Sequence, residues 1–92
     1  MTETVRCVLK IVNEKGLHAR ASAKFVETVE KFDAEATVSK DGISASGDSI
    51  MGLLMLAASI GTEIEVETTG TQAQSLAGAL TELVADKVGE GR

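Results

Sequence analysis

The only histidine of the 92-residue chain, His18, lies where an imidazole could carry chemistry. It follows a turn at residues 13–16 and immediately precedes the first predicted helix, at residues 19–31. Backbone N–H groups at the start of a helix have no partner within the helix, and the helix dipole makes that end positive. An anion beside His18 would therefore be stabilised without a dedicated pocket. The sequence predicts an anion-binding histidine.

Three basic side chains near His18 strengthen this prediction. Arg20 carries a guanidinium whose N–H groups match phosphate oxygens, and Lys15 and Lys24 add positive potential to an otherwise acidic protein. A neutral imidazole is a nucleophile, and a helix N-terminus with a nearby arginine favours the neutral form. Phosphoryl transfer through such a residue needs mainly positioning and charge stabilisation.

Other interpretations of His18 stay open on the residues alone. A single histidine at a helix start is often a cap or an ordinary surface residue. A zinc-type metal site needs several His or Cys ligands, but the chain offers only His18 and Cys7. No Gly-x-Ser-x-Gly elbow accompanies the serines, so a hydrolytic triad is not indicated.

The composition excludes several classes of partner. The net charge is −5, and the chain has two Phe and neither Trp nor Tyr, which disfavours binding to nucleic acid or to an anionic membrane surface. Glu3, Arg6 and Lys10 interrupt the N-terminal segment, so it lacks the apolar run of a signal peptide. No segment has the length of a transmembrane helix. With a single cysteine and no internal disulfide, we expect a cytoplasmic protein.

Periodicity predicts seven elements in the order β-α-β-β-α-β-α. Alternating apolar residues predict strands at residues 5–12, 35–39, 43–46 and 63–67. Asp41-Gly42 is a preferred pair for a type I′ hairpin between the second and third strands.

Each predicted helix has a single apolar face. The second helix has Asp48 or Ser49 as its cap and runs to residue 55 or 56. Thr71 and Gln74 fit a capping box for the third helix, which Gly89 can terminate. We expect an α+β open-faced sandwich, with a four-stranded antiparallel sheet and three helices on one face.

Two segments of the chain resemble motifs of one known family. Residues 16–20, Gly-Leu-His-Ala-Arg, resemble the active-site motif of HPr, the small carrier of the bacterial phosphoenolpyruvate-dependent phosphotransferase system. Residues 49–54, Ser-Ile-Met-Gly-Leu-Leu, resemble the family's regulatory-serine helix. Their spacing, the Asp-Gly hairpin and the final helix also agree. The resemblance covers nearly the whole chain and implies a single HPr-like domain at residues 1–92.

The resemblance implies a phosphocarrier rather than an enzyme. In the family, the histidine accepts a phosphoryl group from phosphorylated Enzyme I and passes it to an Enzyme IIA protein. Carried onto this chain, His18 is the acceptor and donor, and Arg20 stabilises the phosphate. Ser49 matches the serine that an HPr kinase/phosphorylase modifies in organisms possessing one, although capping alone would also explain it. No metal or organic cofactor is implied, and a monomer is expected.

Partners of the family contact the first two helices together. Residues 49–62 contain no charged residue, and we expect Leu53 and Leu56 in the core while others of this segment face outward. The predicted docking surface comprises Ala19, Arg20, Lys24, Ile50, Met51 and Leu54.

One residue departs from the family pattern. Proline usually follows the arginine, whereas this chain has Ala21. Because proline preorganises the first turn of a helix, alanine should preserve the site with a slightly looser helix start. In having Ala21 at this position, the chain resembles carriers of the nitrogen-related branch. The sugar-transport and nitrogen-related branches both stay open.

Two rival functions also follow from the sequence. A regulatory module would use its phosphorylation state, rather than phosphoryl flux, as the output. A small acyl-phosphatase-like enzyme would be another compact α+β domain that binds phosphate. That chemistry needs an Arg-bearing phosphate loop and a positioned Asn, and residues 13–16 do not supply this pattern.

Overall fold

Strands and helices follow the hydrophobic pattern along residues 3–90, the part of the chain that the computed structural model describes. The element order is β-α-β-β-α-β-α, as predicted. The strands are β1 (Glu3–Lys10), β2 (Glu35–Lys40), β3 (Ile43–Ser46) and β4 (Glu63–Gly70). The helices are α1 (Ala19–Glu30), α2 (Ile50–Met55) and α3 (Ala73–Ala85), followed by a short 3₁₀ turn, Lys87–Gly89.

The four strands form one antiparallel sheet in the order β1-β4-β2-β3. The interior strand β4 pairs with β1 along its whole length, beginning with Glu3 opposite Gly70. β2 and β3 form a hairpin in which Asp41 and Gly42 have φ values of 51° and 83°. A type I′ turn requires positive φ at both of these positions, so the predicted hairpin is confirmed.

The helices cover one face of this sheet. Alternate residues of β4 show the division, since Ile64 and Val66 are fully buried whereas Glu63 and Glu65 are exposed. An antiparallel sheet with one solvated face alternates in this way. The predicted α+β open-faced sandwich is confirmed.

The core is almost entirely aliphatic. Phe25 and Phe32 are the only aromatic residues of the chain; Phe25 is fully buried and Phe32 packs at the edge of the core. Burial of each large apolar side chain contributes about 1.5–3 kcal/mol. The largest fully buried apolar side chains are Phe25, Ile11, Leu53, Ile64, Leu76 and Leu80.

Two strands differ in length from the prediction. β1 occupies Glu3–Lys10 rather than residues 5–12, and β4 continues to Gly70 rather than ending at residue 67. The first residues of β1 pair with the last residues of β4. Backbone pairing between the two strands therefore extends both into segments that lack a hydrophobic alternation.

The predicted capping box at the start of α3 is wrong. The N-cap residue is Gln72, and its side chain makes no capping hydrogen bond. The Thr71 hydroxyl instead donates to Asp33 Oδ2 at 2.6 Å, and Gln72 Oε1 accepts the backbone N–H of Asp33 at 2.6 Å. A charged partner in the loop after α1 replaces the local cap and ties that loop to the start of α3.

The prediction that Gly89 terminates α3 is also wrong. The helix ends at Ala85, with Asp86 as its C-cap. Lys87, Val88 and Gly89 then have φ values of 56°, 49° and 75°. Three successive residues in the left-handed region reverse the chain and direct it back towards the start of α1.

Among the helices of residues 3–90, none combines the length and apolar character needed to cross a membrane.

Candidate functional site

His18 is the N-cap residue of α1. Its backbone is extended, with φ −75° and ψ −179°, and its carbonyl accepts the N–H of Ser22 at 2.8 Å to begin the helix. Its ring nitrogen Nδ1 accepts the backbone N–H of Arg20 at 3.3 Å. The imidazole therefore points across the first turn of α1, at the positive end of the helix. The position predicted for His18 is confirmed, and the cap interpretation is correct as well.

The loop before His18 is packed against the segment after α2. Leu17, which is buried, donates its N–H to the carbonyl of Ala58 at 2.9 Å. Gly16 has φ 63°, and its α-carbon lies directly against the same backbone. This close contact fixes the direction from which the chain enters α1.

A buried amide links this loop to the C-terminal turn. Asn13 is only 1% exposed, and its Nδ2 donates to the carbonyl of Gly16 at 2.8 Å and to Glu90 Oε1 at 2.9 Å. Both partners can only accept, so the orientation of the Asn13 amide is determined by them. Both amide hydrogens of Asn13 are used in holding the site together.

Glu90 is a site residue absent from the sequence-based prediction. Its Oε2 lies 2.5 Å from His18 Nε2, and its side chain is 13% exposed. The two residues are 72 positions apart. No local sequence signal relates them, because the contact depends on the left-handed turn after α3. The only sequence hint is an acidic residue following Gly89.

The environment of Glu90 lowers its pKa. Desolvation by burial acts to raise the pKa, but the hydrogen bonds from Asn13 and His18 and the electrostatic attraction of His18 and Lys15 lower it by more. Hydrogen bonds and positive charges both favour the ionised form of a carboxyl group. Glu90 is thus a carboxylate near neutral pH.

The partners of the two ring nitrogens determine which nitrogen carries the proton. The Glu90 carboxylate can only accept, so His18 Nε2 must donate; the Arg20 backbone N–H can only donate, so Nδ1 must accept. A neutral imidazole that satisfies both contacts has its proton on Nε2 and its lone pair on Nδ1. That lone pair is directed at the helix N-terminus, where an anion is stabilised.

The three predicted basic residues lie together beside the histidine. Lys15, Arg20 and Lys24 line a cavity of about 330 Å³, together with Glu14, Gly89 and Glu90. The three cations outnumber the two carboxylates of this cavity, so it is locally positive in a protein whose net charge is −5. An anionic group fits this electrostatic environment. Within residues 3–90, no group of three or more His, Cys, Asp or Glu side chains is placed to hold a metal ion.

A second, open groove connects His18 to α2. It is lined by residues of the loop and of α2, including Leu17, His18 and Leu54. Beyond it, Ile50 and Met51 are 40% and 70% exposed. The outward orientation predicted for these side chains is confirmed, with Leu54 half-buried.

The apolar surface around α2 is larger than predicted. Met55 and Ile60 are also exposed, whereas Leu53 and Leu56 lie in the core as expected. From the α1 side, Ala19 and Arg20 are exposed and Lys24 is partly exposed. The structure places all the predicted docking residues on α1 and α2, which pack against each other.

Of the two predicted cap residues, Ser49 is the N-cap of α2. Its Oγ accepts the N–H of Gly52 at 3.0 Å, and its carbonyl accepts the N–H of Leu53 at 3.0 Å. A Cβ at Gly52 would lie 3.0 Å from the Ala45 side chain and 3.1 Å from Ser49 Oγ. Gly52 therefore lets α2 lie close to β3 and leaves room for the Ser49 hydroxyl.

Comparison with known proteins agrees over most of the chain. The family model described as "PTS HPr component phosphorylation site" matches residues 5–86. The phosphocarrier protein HPr of Neisseria meningitidis is 48% identical over 83 residues, which are 90% of this chain and 93% of that protein. The phosphocarrier protein NPr of Escherichia coli is 40% identical over 81 residues, covering 87% of this chain and 90% of that protein.

A solved structure gives the same result for the fold. The crystal structure of HPr-C-His from Thermoanaerobacter tengcongensis has a TM-score of 0.89 to this chain at 35% identity. The match covers 94% of this chain and 97% of that chain.

Proposed function

This chain belongs to the HPr family of the phosphotransferase system, and from that premise we propose that His18 is its phosphoryl acceptor and donor. In this proposal His18 accepts a phosphoryl group from phosphorylated Enzyme I and passes it to an Enzyme IIA protein. The observation that supports it most directly is the position of His18 Nδ1 at the N-terminus of α1, accepting the N–H of Arg20.

The transfer step uses the lone pair of Nδ1. That pair forms a bond to phosphorus while the bond between phosphorus and the donor atom of Enzyme I breaks, and the electron pair of that bond remains on the donor atom. The phosphoryl oxygens then lie at the start of α1, where the backbone N–H of Arg20 and its guanidinium can stabilise their charge. Phosphoryl transfer depends mainly on such positioning and charge stabilisation.

The chain acts here as a carrier and not as an enzyme in the turnover sense. It is covalently changed in each cycle and is restored by its acceptor, and it requires no metal or organic cofactor of its own. We propose a cytoplasmic location and a monomer as the working form, although an HPr of T. tengcongensis has been solved as a dimer.

The docking surface in this proposal combines the exposed start of α1 with the apolar side of α2. Arg20 and Lys24 supply positive charge, and Ile50, Met51 and Leu54 supply apolar contact. Flexible methionine suits a surface that must fit more than one partner. Such contacts should be small and short-lived, because a carrier must release each partner.

Ser49 is proposed as a regulatory phosphorylation site. It caps the start of α2 beside the docking surface, and the residue is partly exposed. A phosphate there adds negative charge next to apolar docking residues and would weaken partner binding. Mass spectrometry after incubation with ATP and HPr kinase/phosphorylase should show phosphate on wild type and none on Ser49→Ala.

The central experiment is incubation with phosphoenolpyruvate and Enzyme I. We expect one acid-labile phosphate on His18, no label on His18→Ala, and transfer of the label to Enzyme IIA. Parallel reactions with the Enzyme I proteins of the sugar and nitrogen-related branches assign the branch by the faster transfer. Steady hydrolysis of an acyl phosphate without modification of His18 would instead support the acyl-phosphatase alternative.

A further inference from the structure

We propose that Glu90 is a positioning residue for His18, whose carboxylate keeps the proton on Nε2 and so reserves Nδ1 for the phosphoryl group. The consequence for transfer rests on the proposed function, whereas the effect on the proton stands on the geometry alone. Glu90 does not touch the phosphoryl group in this scheme. It acts through the imidazole.

The geometry that supports this is a continuous chain of hydrogen bonds. The carbonyl of Gly16 accepts from Asn13 Nδ2, the same amide nitrogen donates to Glu90 Oε1, and Glu90 Oε2 lies 2.5 Å from His18 Nε2. Asn13 is fully buried and cannot easily reorient. One oxygen of Glu90 is thus fixed by the loop, which aims the other at the imidazole.

The backbone of the C-terminal turn adapts to deliver this side chain. Val88 is β-branched yet has φ 49°, a region that such residues rarely occupy, and it is only 1% exposed. Its buried side chain anchors the turn in the core, and the N–H of Glu90 donates to the carbonyl of Lys87 at 3.0 Å. Strained backbone of this kind is retained where the surrounding contacts determine it, often at functional sites.

Charge explains why the contact would matter during transfer. When Nδ1 bonds to phosphorus while Nε2 keeps its proton, the ring changes from neutral to cationic without any proton moving. The Glu90 carboxylate lies against that new positive charge. When the phosphoryl group departs, the Nδ1–phosphorus bonding pair returns to Nδ1 and the neutral imidazole leaves, which is a better leaving group than an imidazolate.

Other charged groups face the same site and set limits on the effect. Glu14, Lys15, Arg20 and Lys24 line the cavity that Glu90 also borders. The lysines and the arginine oppose a positive ring, whereas Glu14 favours one weakly from a distance. Among the charged side chains of residues 3–90, Glu90 is the one that hydrogen-bonds the ring, so its removal should dominate the response.

The first test is ¹⁵N NMR of the unphosphorylated full-length protein near neutral pH. In wild type we expect Nε2 at the frequency of a protonated ring nitrogen and Nδ1 at that of an unprotonated one. In Glu90→Gln the amide can either donate or accept, so the two frequencies should converge and the Nε2 proton should exchange faster with water. Glu82→Gln is the matched control, because it makes the same substitution away from His18. Glu82 lies beside the C-terminal half of α1, near Lys31 and Phe32, whereas His18 caps the N-terminal end.

The second test is the rate at which His18 accepts the phosphoryl group from phosphorylated Enzyme I, the step in which the ring becomes cationic beside Glu90. Loss of one charge-assisted hydrogen bond to the ring should slow transfer by about tenfold in Glu90→Gln and leave Glu82→Gln at the wild-type rate. Unchanged ¹⁵N frequencies in Glu90→Gln, or an unchanged transfer rate, would overturn the inference. A wild-type protein that never becomes phosphorylated would refute the proposed function instead, and the NMR result would remain interpretable.

Discussion

Gly16 approaches the backbone of Ala58 so closely that a Cβ on Gly16 would lie 2.2 Å from the Ala58 carbonyl oxygen. The opposing atom is backbone and cannot rotate away. Gly16 also has φ 63°, a conformation that costs other residues roughly 1 kcal/mol or more. The entry of the chain into the site thus depends on glycine at this position.

Substitution of this glycine should destabilise the protein and disable the site. We expect Gly16→Ala to lower the free energy of unfolding by roughly 2–4 kcal/mol, because the clash adds to the left-handed strain. Gly61→Ala is the matched control, since Gly61 has φ 86° but nothing within 4 Å of its added Cβ. Urea denaturation measures both, and equal losses would contradict the packing argument.

The contact between Glu90 and His18 should make stability depend on pH in a defined direction. The pKa of Glu90 is lowered from 4.5 by the hydrogen bonds and charges that outweigh its desolvation. The stabilisation by the ionised Glu90 is therefore complete above pH 4.5. It is lost as the pH falls through the lower pKa that Glu90 has in the folded protein. The difference in unfolding free energy between wild type and Glu90→Gln should shrink as the pH falls below 4.5, where the folded carboxylate becomes protonated. A difference that grows as the pH is lowered further below 4.5 would contradict this.

Ser49 should contribute to stability as a helix cap, independently of any regulation. We expect Ser49→Ala to lower the unfolding free energy by about 1 kcal/mol, because the Gly52 N–H loses its acceptor. Ser75→Ala, on an exposed position of α3, should change it by less than about 0.5 kcal/mol. Thermal unfolding of the two variants provides the comparison, and equal effects would argue against the cap.

A substitution in the docking surface should weaken partner binding without changing the stability of the fold. Met51 is 70% exposed on α2, so Met51→Glu should leave stability nearly unchanged. The KM for the carrier should rise roughly tenfold both in its reaction with Enzyme I and in its reaction with Enzyme IIA, because a charge is placed in an apolar contact. Val8→Glu is the control, since Val8 is 59% exposed on the solvated face of the sheet. If both variants weaken transfer equally, charge alone explains the result.

Features that depend on neighbouring residues could be predicted from the sequence. The hairpin at Asp41 and Gly42 follows from the local preference for positive φ, and the placement of His18 and Ser49 at helix starts follows from where the hydrophobic period changes. Each signal is contained in a few consecutive residues. The resemblance in residues 16–20 and 49–54 then identified the family.

Features that depend on distant partners could not be predicted. Thr71 has the sequence of a cap, but Asp33 from the loop after α1 takes its hydroxyl. Glu90 reaches His18 only because Val88 adopts a backbone conformation that no sequence rule would assign to a β-branched residue. The partner of Thr71 and the backbone conformation of Val88 are decided by tertiary contacts, which local patterns do not encode.

The capping role of His18 has a consequence for how partners distinguish two forms of the carrier. The nitrogen that accepts the Arg20 N–H is the one proposed to bind phosphorus, and it cannot do both at once. When His18 is phosphorylated, the Arg20 N–H at the start of α1 would therefore lose the imidazole as its acceptor and donate to a phosphoryl oxygen instead. The phosphoryl group would then cap α1. A partner that contacts Ala19 and Arg20 would thus detect, through the backbone, whether His18 is phosphorylated.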